Sequence, residues 1–502
     1  MHKRRRLPHV IALAALALAV AALAAGCSGR GPRISRLTIL VSGNTLGYLK
    51  NCGCSTGQAG GELRKARLLK EERADAVKPQ PADKGLQADV LVIDIGNFVD
   101  SSTDVQRIYS GGVVRAMSTE AFDAVGLGMS ELSYGQEALA GFLKDAKLPL
   151  VATNLRFIPP ATGTDHSAEL NALFHAYRIV RLQSGYKVGI VHIIDVSVAR
   201  ELGTPMGFEL SDAAQAVRGV LAQHAREARM WILTAADVRR GGTDPGSIAD
   251  IKGLTEVIGY KEGNPRQSQT STKAVAPYFV QPPFDRAMDV VRVEISLDSR
   301  GKVAAALPQE VAIPETVNAD PEVEKIIMDL QPVLERLETQ QYQHSLLDQP
   351  GVHPRYVSSD TCGVCHKDVV RQLASSAHTQ AYDSLVAQGQ QKSPACLPCH
   401  VVGRNKPGGW NVLLNPPPMR GVQCESCHGP GEYHEMKMAG KPVPADFAAG
   451  GRNRFGLLPM TREGCIVCHD TMNSPHFNYD TYWPKIAHKM KQRPPKSTKA
   501  GS

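Results

Sequence analysis

Aromatic residues are scarce: tryptophan, tyrosine and phenylalanine together make up 5% of the 502 residues. Such a chain holds no stock of ring faces on which nucleobases could stack, so nucleic acid is not an expected partner. Long apolar runs are nearly missing as well. The one candidate, residues 10–25, falls short of the roughly 20 residues that a membrane-spanning helix needs. Charge of one sign is in modest excess, +8, and much of it sits in the first six residues and in a basic stretch at 485–499. A charged tail is solvated by default; docking to an acidic partner is its sharper use.

What is present is concentrated. Eight of the eleven cysteines fall in four copies of one pattern: Cys362-Gly363-Val364-Cys365-His366, Cys396-Leu397-Pro398-Cys399-His400, Cys424-Glu425-Ser426-Cys427-His428 and Cys465-Ile466-Val467-Cys468-His469. Each is C-x-x-C-H, the attachment signal of a c-type haem. Two thiols add across the vinyl groups and the adjacent imidazole becomes the proximal iron ligand. Paired C-x-x-C units also build zinc sites or disulfides, but neither requires a histidine directly after every second cysteine. Four covalent haem c groups are therefore expected, held by Cys362, Cys365, Cys396, Cys399, Cys424, Cys427, Cys465 and Cys468, with His366, His400, His428 and His469 on the irons.

The amino terminus points to a compartment in which such chemistry occurs. A basic His2-Lys3-Arg4-Arg5-Arg6 precedes the apolar run, and Leu23-Ala24-Ala25-Gly26-Cys27 follows, which reads as an export signal. A cysteine directly after small residues resembles a bacterial lipoprotein cleavage site. That implies lipidation of Cys27, attachment to a membrane through the lipid and, with Ser28 next, the outer membrane, periplasm or cell surface. Simple secretion with a free Cys27 is the alternative.

From residue 34 the chain alternates strand-like runs (37–41, 90–95, 124–127, 148–152, 177–180, 188–194, 230–233, 290–295) with helical stretches such as 62–72. This rhythm argues an α/β domain with a buried sheet over residues 34–310. Its loops Gly43-Asn44-Thr45-Leu46-Gly47, Asp94-Ile95-Gly96-Asn97, Gly128-Met129-Ser130-Glu131 and Val280-Gln281-Pro282 resemble those of the calcineurin-like metallophosphoesterases, particularly periplasmic nucleotidases. That family holds two metal ions with Asp-x-His, Gly-Asp, Gly-Asn-His-Glu and later histidine motifs. Here Asn44, Leu46, Asn97, Met129 and Ser130 stand in the ligand positions, Thr234-Ala235-Ala236 and Gly259-Tyr260-Lys261-Glu262 replace the later histidines, and only Glu131 remains. Leucine and methionine do not coordinate hard divalent ions. The expectation is a sandwich of the metallophosphoesterase type with no divalent metal and no phosphoesterase activity. A Cys52-Gly53-Cys54 loop beside the lost site reads as a redox pair, a soft-metal site or a plain structural turn.

Apolar residues at helical spacing from Val323 to Leu337 predict a linking helix within 317–350, with Pro321 in its first turn and a kink at Pro332. Beyond it, residues 351–490 are expected to form a mainly helical, loop-rich multihaem domain, followed by a disordered basic tail at 491–502. Its wording, including Ser376-Ala377-His378, Cys399-His400-Val401-Val402-Gly403, residues 421–431 and Ile486-Ala487-His488, closely resembles the tetrahaem cytochromes c that accept electrons from hydroxylamine oxidoreductase. That resemblance implies His434 on the first iron, His378 on the third and His488 on the fourth. The second stays open, or is capped by His353 or His476. It also implies electron transfer between redox partner proteins. An open second haem would instead act on a small nitrogen or sulfur species, with Arg404, Asn405 and Lys406 either as its polar neighbours or as a surface turn beside Pro407-Gly408-Gly409.

Overall fold

The computed structural model describes residues 34–50, 59–195, 202, 207–238, 251–261, 269–270, 278–281, 286–347, 353–470, 473–474 and 476–488. Cys27, Cys52, Cys54, Pro282, Pro475 and the basic tail lie outside the described residues.

Along the chain the strands are β1 (Ile34–Ser42), β2 (Gln87–Asp94), β3 (Ala124–Val125), β4 (Leu155–Phe157), β5 (Arg178–Arg181), β6 (Lys187–Ile194), β7 (Phe208–Leu210), β8 (Met230–Val238), β9 (Glu256–Lys261), β10 (Gln269–Thr270), β11 (Tyr278–Gln281), β12 (Asp289–Leu297) and β13 (Val303–Ala312). One sheet runs β13-β12-β1-β2-β3 and the other β10-β11-β9-β8-β6-β5, with β4 and β7 forming a separate pair. The alternation of side chains explains how the sheets face each other. On β1, Leu37, Ile39 and Val41 point into a shared interior with Val188, Ile190, Met230 and Ile232 of the other sheet. Leu40 points the other way, into a helical layer containing Ala66 and Leu69 of helix α1 (Glu62–Ala76) and Val113 and Met117 of helix α2 (Asp104–Met117). Trp231 and Leu233 of β8 pack outward on Val217 and Leu221 of helix α3 (Ala213–His224). The layers are thus helix, sheet, sheet, helix, the α/β sandwich expected from the sequence. Each such buried leucine or isoleucine contributes about 1.5–3 kcal/mol.

The sequence reading lacks the short strands β4, β7, β9, β10 and β11, and two longer segments also differ from it. Residues 148–152 make only single bridges, Val125 to Leu150 and Val151 to His175, rather than a strand. Strand β13, not anticipated, pairs with β12 at the sheet edge, where Leu307 remains 65% exposed.

Helix α4 (Pro321–Leu347) belongs to both halves of the molecule. Asp320 caps it, accepting from Glu322 N–H at 3.0 Å, and binds Lys70 Nζ at 2.7 Å. Val323, Ile326, Ile327 and Leu330 are buried in the helical layer. Gly112 on α2 permits that approach, because a Cβ there would stand 2.5 Å from Leu49 Cδ2 and 2.9 Å from Leu330 Cδ1. Beyond Pro332 the helix turns to the carboxyl-terminal segment. Fully buried Glu338 accepts from Arg404 Nε at 2.9 Å and Asn405 Nδ2 at 3.0 Å, and Glu335 pairs with Lys392.

Residues 353–488 are short helices and turns around one small apolar cluster of Tyr382, Leu385, Leu397, Val401, Val402, Trp410 and Met419. Val364 and Val467, lying between paired cysteines, are 74% and 73% exposed. Side-chain packing of that extent does not hold so long a segment, which needs apolar partners other than its own residues. Among the described residues no helix is long and apolar enough to cross a membrane.

Candidate functional site

In the amino-terminal sandwich the loops that resemble a metal site are stitched to one another. Asn44, Leu46 and Asn97 have φ of 53°, 49° and 59°, a left-handed backbone that non-glycine residues adopt at a cost. The first loop donates to the second through Asn44 N–H to Gly96 O (2.8 Å), Leu46 N–H to Asn97 O (2.8 Å) and Gly47 N–H to Phe98 O (2.9 Å). Asn97 Oδ1 accepts from Ser130 N–H at 2.9 Å. Buried Glu131 accepts four backbone N–H groups, from Asn97, Phe98, Val99 and Gly128, at 2.6–3.1 Å. Burial lifts its carboxyl to about 7, against the pull of those donors.

Beneath these loops lies an internal charge. Lys65 Nζ is 2.9 Å from Glu62 Oε2 and 3.6 Å from Asp94 Oδ2, with all three side chains 0% exposed, and it donates to Thr45 Oγ1 at 3.2 Å. Desolvation works against the ammonium, but Glu62, Asp94 and Glu120 more than offset it and hold Lys65 charged. Desolvation likewise raises Asp94 and, reinforced by Glu62, Glu120. Nothing in the spacing of these four residues signalled that they meet.

In the carboxyl-terminal segment each C-x-x-C-H forms a helical turn that carries both thiols and the imidazole. Residues Cys362 to His366 and Cys465 to His469 close on themselves through His366 N–H to Cys362 O and His469 N–H to Cys465 O, both 2.9 Å. The second and third motifs are the helices Leu397–His400 and Cys424–His428.

The imidazoles then meet in pairs. Ring centres are 6.2 Å apart for His366 and His434, 6.0 Å for His378 and His469, and 5.9 Å for His428 and His488. Two imidazoles bonded to opposite sides of one metal ion at about 2 Å each stand roughly 6 Å apart, centre to centre. The first pair is the one implied by resemblance. The other two are exchanged: His378 faces the fourth motif and His488 the third. Two tethers to backbone carbonyls lie beside these pairs. Val422 N–H donates to His378 O at 2.8 Å, fixing that turn beside the third motif while its ring reaches the fourth. Gln372 donates to Ala487 O at 3.3 Å, which draws His488 toward the first and third motifs.

The hydrogen bonding suits metal ligation. Nδ1 is taken up by Ala381 O in His400 (2.6 Å), Leu458 O in His428 (3.2 Å), Phe455 O in His434 (3.1 Å), Ser474 Oγ in His469 (2.9 Å) and Ile486 O in His488 (3.3 Å). A carbonyl acceptor puts the proton on Nδ1 and leaves Nε2 with its lone pair free, the arrangement a metal-bound histidine needs. Desolvation, then nearby imidazoles, push His366 and His378 below the usual imidazole range, and desolvation foremost does so for His428 and His469. Neutral imidazoles are the ligating form.

His400 has no facing imidazole among the described residues. His353 is bound to Glu432 Oε2 at 2.7 Å; His476 is exposed and lines the same cavity as His400 without stacking on it. Of the residues expected as polar neighbours of the second haem, Arg404 and Lys406 line the same cavity as His400, while Arg404 and Asn405 also bind buried Glu338.

The attachment cysteines of different motifs also touch. Cys362 and Cys424 share a hydrogen bond, as do Cys399 and Cys468, while Cys427 stands within electrostatic reach of Cys465 and Cys468. In space the motifs therefore run first, third, fourth, second. Around the second and fourth lies a cavity of ≈ 1870 Å³, larger than the about 300–1,000 Å³ of a single-ligand pocket.

Residues 361–429 match the family model for cytochrome c554 and c-prime. The chain is 32% identical over 133 residues to cytochrome c-554 of Nitrosomonas europaea, an alignment taking in 22% of this chain and 54% of that protein. The chain thus spans about half the length of that curated relative. Solved structures similar to the amino-terminal part include a 5'-nucleotidase precursor from Thermus thermophilus (17% identity, TM-score 0.48, 60% of this chain and 59% of that one). A calcineurin-like phosphoesterase from Bacillus subtilis is another (18% identity, TM-score 0.44, 59% of this chain and 96% of that one). A domain of the matched family carries c-type haem, and the thiol turns and imidazoles described above fit that group. The carboxyl-terminal third of the chain contains a cytochrome c domain of the c554 family.

Proposed function

We propose that the protein is an exported electron-transfer cytochrome with four covalent haems, anchored by lipid at Cys27, in which the phosphoesterase-like sandwich serves docking or assembly. The observation that carries the reading is the set of three imidazole pairs at 5.9–6.2 Å, each joining a C-x-x-C-H histidine to a distant one. When bound, haem supplies one-electron redox chemistry at iron. At three sites a pair of this chain's own imidazoles would hold the iron and would leave no place there for another ligand. Contact between attachment thiols of successive motifs keeps the sites close. In the sandwich, Asn97 and Glu131 spend their polar atoms on backbone groups and Lys65 supplies the buried positive charge, which supports a scaffold without phosphoester chemistry.

A pyridine haemochrome assay on the purified mature chain is expected to give four haems per polypeptide; one or none would refute the reading. A second reading, redox chemistry on a small nitrogen or sulfur species, is favoured by one observation: among the described residues His400 lacks an imidazole partner. Its mark is a high-spin ferric fraction that shifts on adding cyanide.

A further inference from the structure

The amino-terminal domain reaches the second motif with side chains that the haem reading leaves unused. Tyr109, on α2, hydrogen-bonds through its hydroxyl to Ser393 Oγ at 3.1 Å, and Ser393 in turn bonds the Cys396 thiol. Lys50, just past the first loop of the sandwich, lies within electrostatic reach of Cys396. Lys50, Gln106 and Tyr109 line the same cavity as Cys396, Cys399 and His400.

Lys50 is anomalous there. Among the described residues no carboxylate pairs with it and no hydrogen bond holds it, unlike Lys65, Lys70 or Lys392. Desolvation brings its ammonium down to about 8, the Cys396 thiolate acting weakly the other way. Once Cys396 is a thioether it carries no charge, and that counterweight disappears. A poorly solvated cation without a counter-ion gains from an anion brought beside it. Nearby Tyr109 and Gln106 add neutral hydrogen-bonding groups. The motif at this end of the cavity is also the one whose histidine has no opposing imidazole among the described residues.

We propose that the two domains together form a pocket for a small inorganic anion at the second haem, with Lys50 as its counter-charge and positioning residue. The inference rests on the haem reading above. It goes further by fixing the charge of the ligand and by giving the sandwich domain a part in holding it.

The test uses the full haem-loaded chain in the ferric state, with nitrite as the anionic probe and nitric oxide as the neutral one, each titrated optically and by electron paramagnetic resonance. Lys50→Met is expected to weaken nitrite binding about 10- to 100-fold, the worth of one charge-assisted hydrogen bond, and to leave nitric oxide affinity at the wild-type value. Lys50→Arg should restore most of the nitrite affinity. Unchanged nitrite affinity, an equal loss for both probes, or a wild-type spectrum that responds to neither would overturn the proposal. Unchanged affinity with a displaced reduction potential would assign Lys50 to a haem propionate and overturn it too. Haem content, measured on every variant, separates the two readings: one haem or none in the wild type refutes the cytochrome reading, whereas four haems with an indifferent Lys50→Met refutes only the anion pocket.

Discussion

Replacing Lys65 by methionine removes the ammonium from a cluster that also contains Glu62, Asp94 and Glu120, all buried. Methionine matches the length of the stem, so packing is nearly kept and the charge is what is lost. Breaking a fully buried pair costs about 3–5 kcal/mol because the remaining carboxylate stays desolvated and uncompensated. At about 2–4 °C per kcal/mol for a domain of this class of size, the sandwich should melt roughly 6–20 °C earlier. The deficit depends on pH in a definite direction. Asp94 and Glu120 already have folded-state pKa values above their ordinary ones, through desolvation foremost, and Lys65 is what restrains them. Without it they rise further. Groups with raised folded values contribute stability below their unfolded pKa of about 4 and lose it as pH climbs through the folded value. The gap between Lys65→Met and wild type should therefore be wider at pH 7.5 than at pH 5. Thermal melts of the haem-loaded chain, with far-ultraviolet circular dichroism following the sandwich and the Soret band following the haem segment, measure it. A loss below about 1 kcal/mol, or an equal loss at both pH values, would refute the idea that the ammonium balances these carboxylates.

Glu338→Ala should leave Arg404 and Asn405 without their buried acceptor and weaken domain docking by about 3–5 kcal/mol. The circular dichroism and Soret transitions would then separate, and coincident melts would count against the clamp. His488→Ala should add one high-spin haem to the ferric spectrum, and the added signal should vanish when Cys424 and Cys427 are also replaced by alanine, because the partner ring is His428. Persistence of the signal would return His488 to the fourth motif.

Chemistry encoded locally was legible in the chain. A haem attachment turn needs five consecutive residues, and all four announce themselves. So do strands such as β1 and β6, buried on both faces. Strand β13 escaped notice because it is an edge strand with alanines, Pro308 and an outward Leu307, lacking the β-branched run of an interior strand. Residues 148–152 misled for the opposite reason, being apolar without a neighbour to pair along their length. Which distant histidine meets which motif depends on tethers such as Val422 to His378 and Gln372 to Ala487, long-range contacts that spacing does not encode. Lys50 and Lys65 carried no signal either, since a lysine acquires meaning only from what its fold places around it.

The motifs' spatial succession has a practical corollary for anyone shortening this polypeptide. The last C-x-x-C-H along the chain is the penultimate one in space, with Cys427 within electrostatic reach on one side and a thiol hydrogen bond to Cys399 on the other. Trimming the gene before Cys465 would not clip an end from the row. It would cut out an interior link, stranding His400 and the adjoining sandwich from the remaining two.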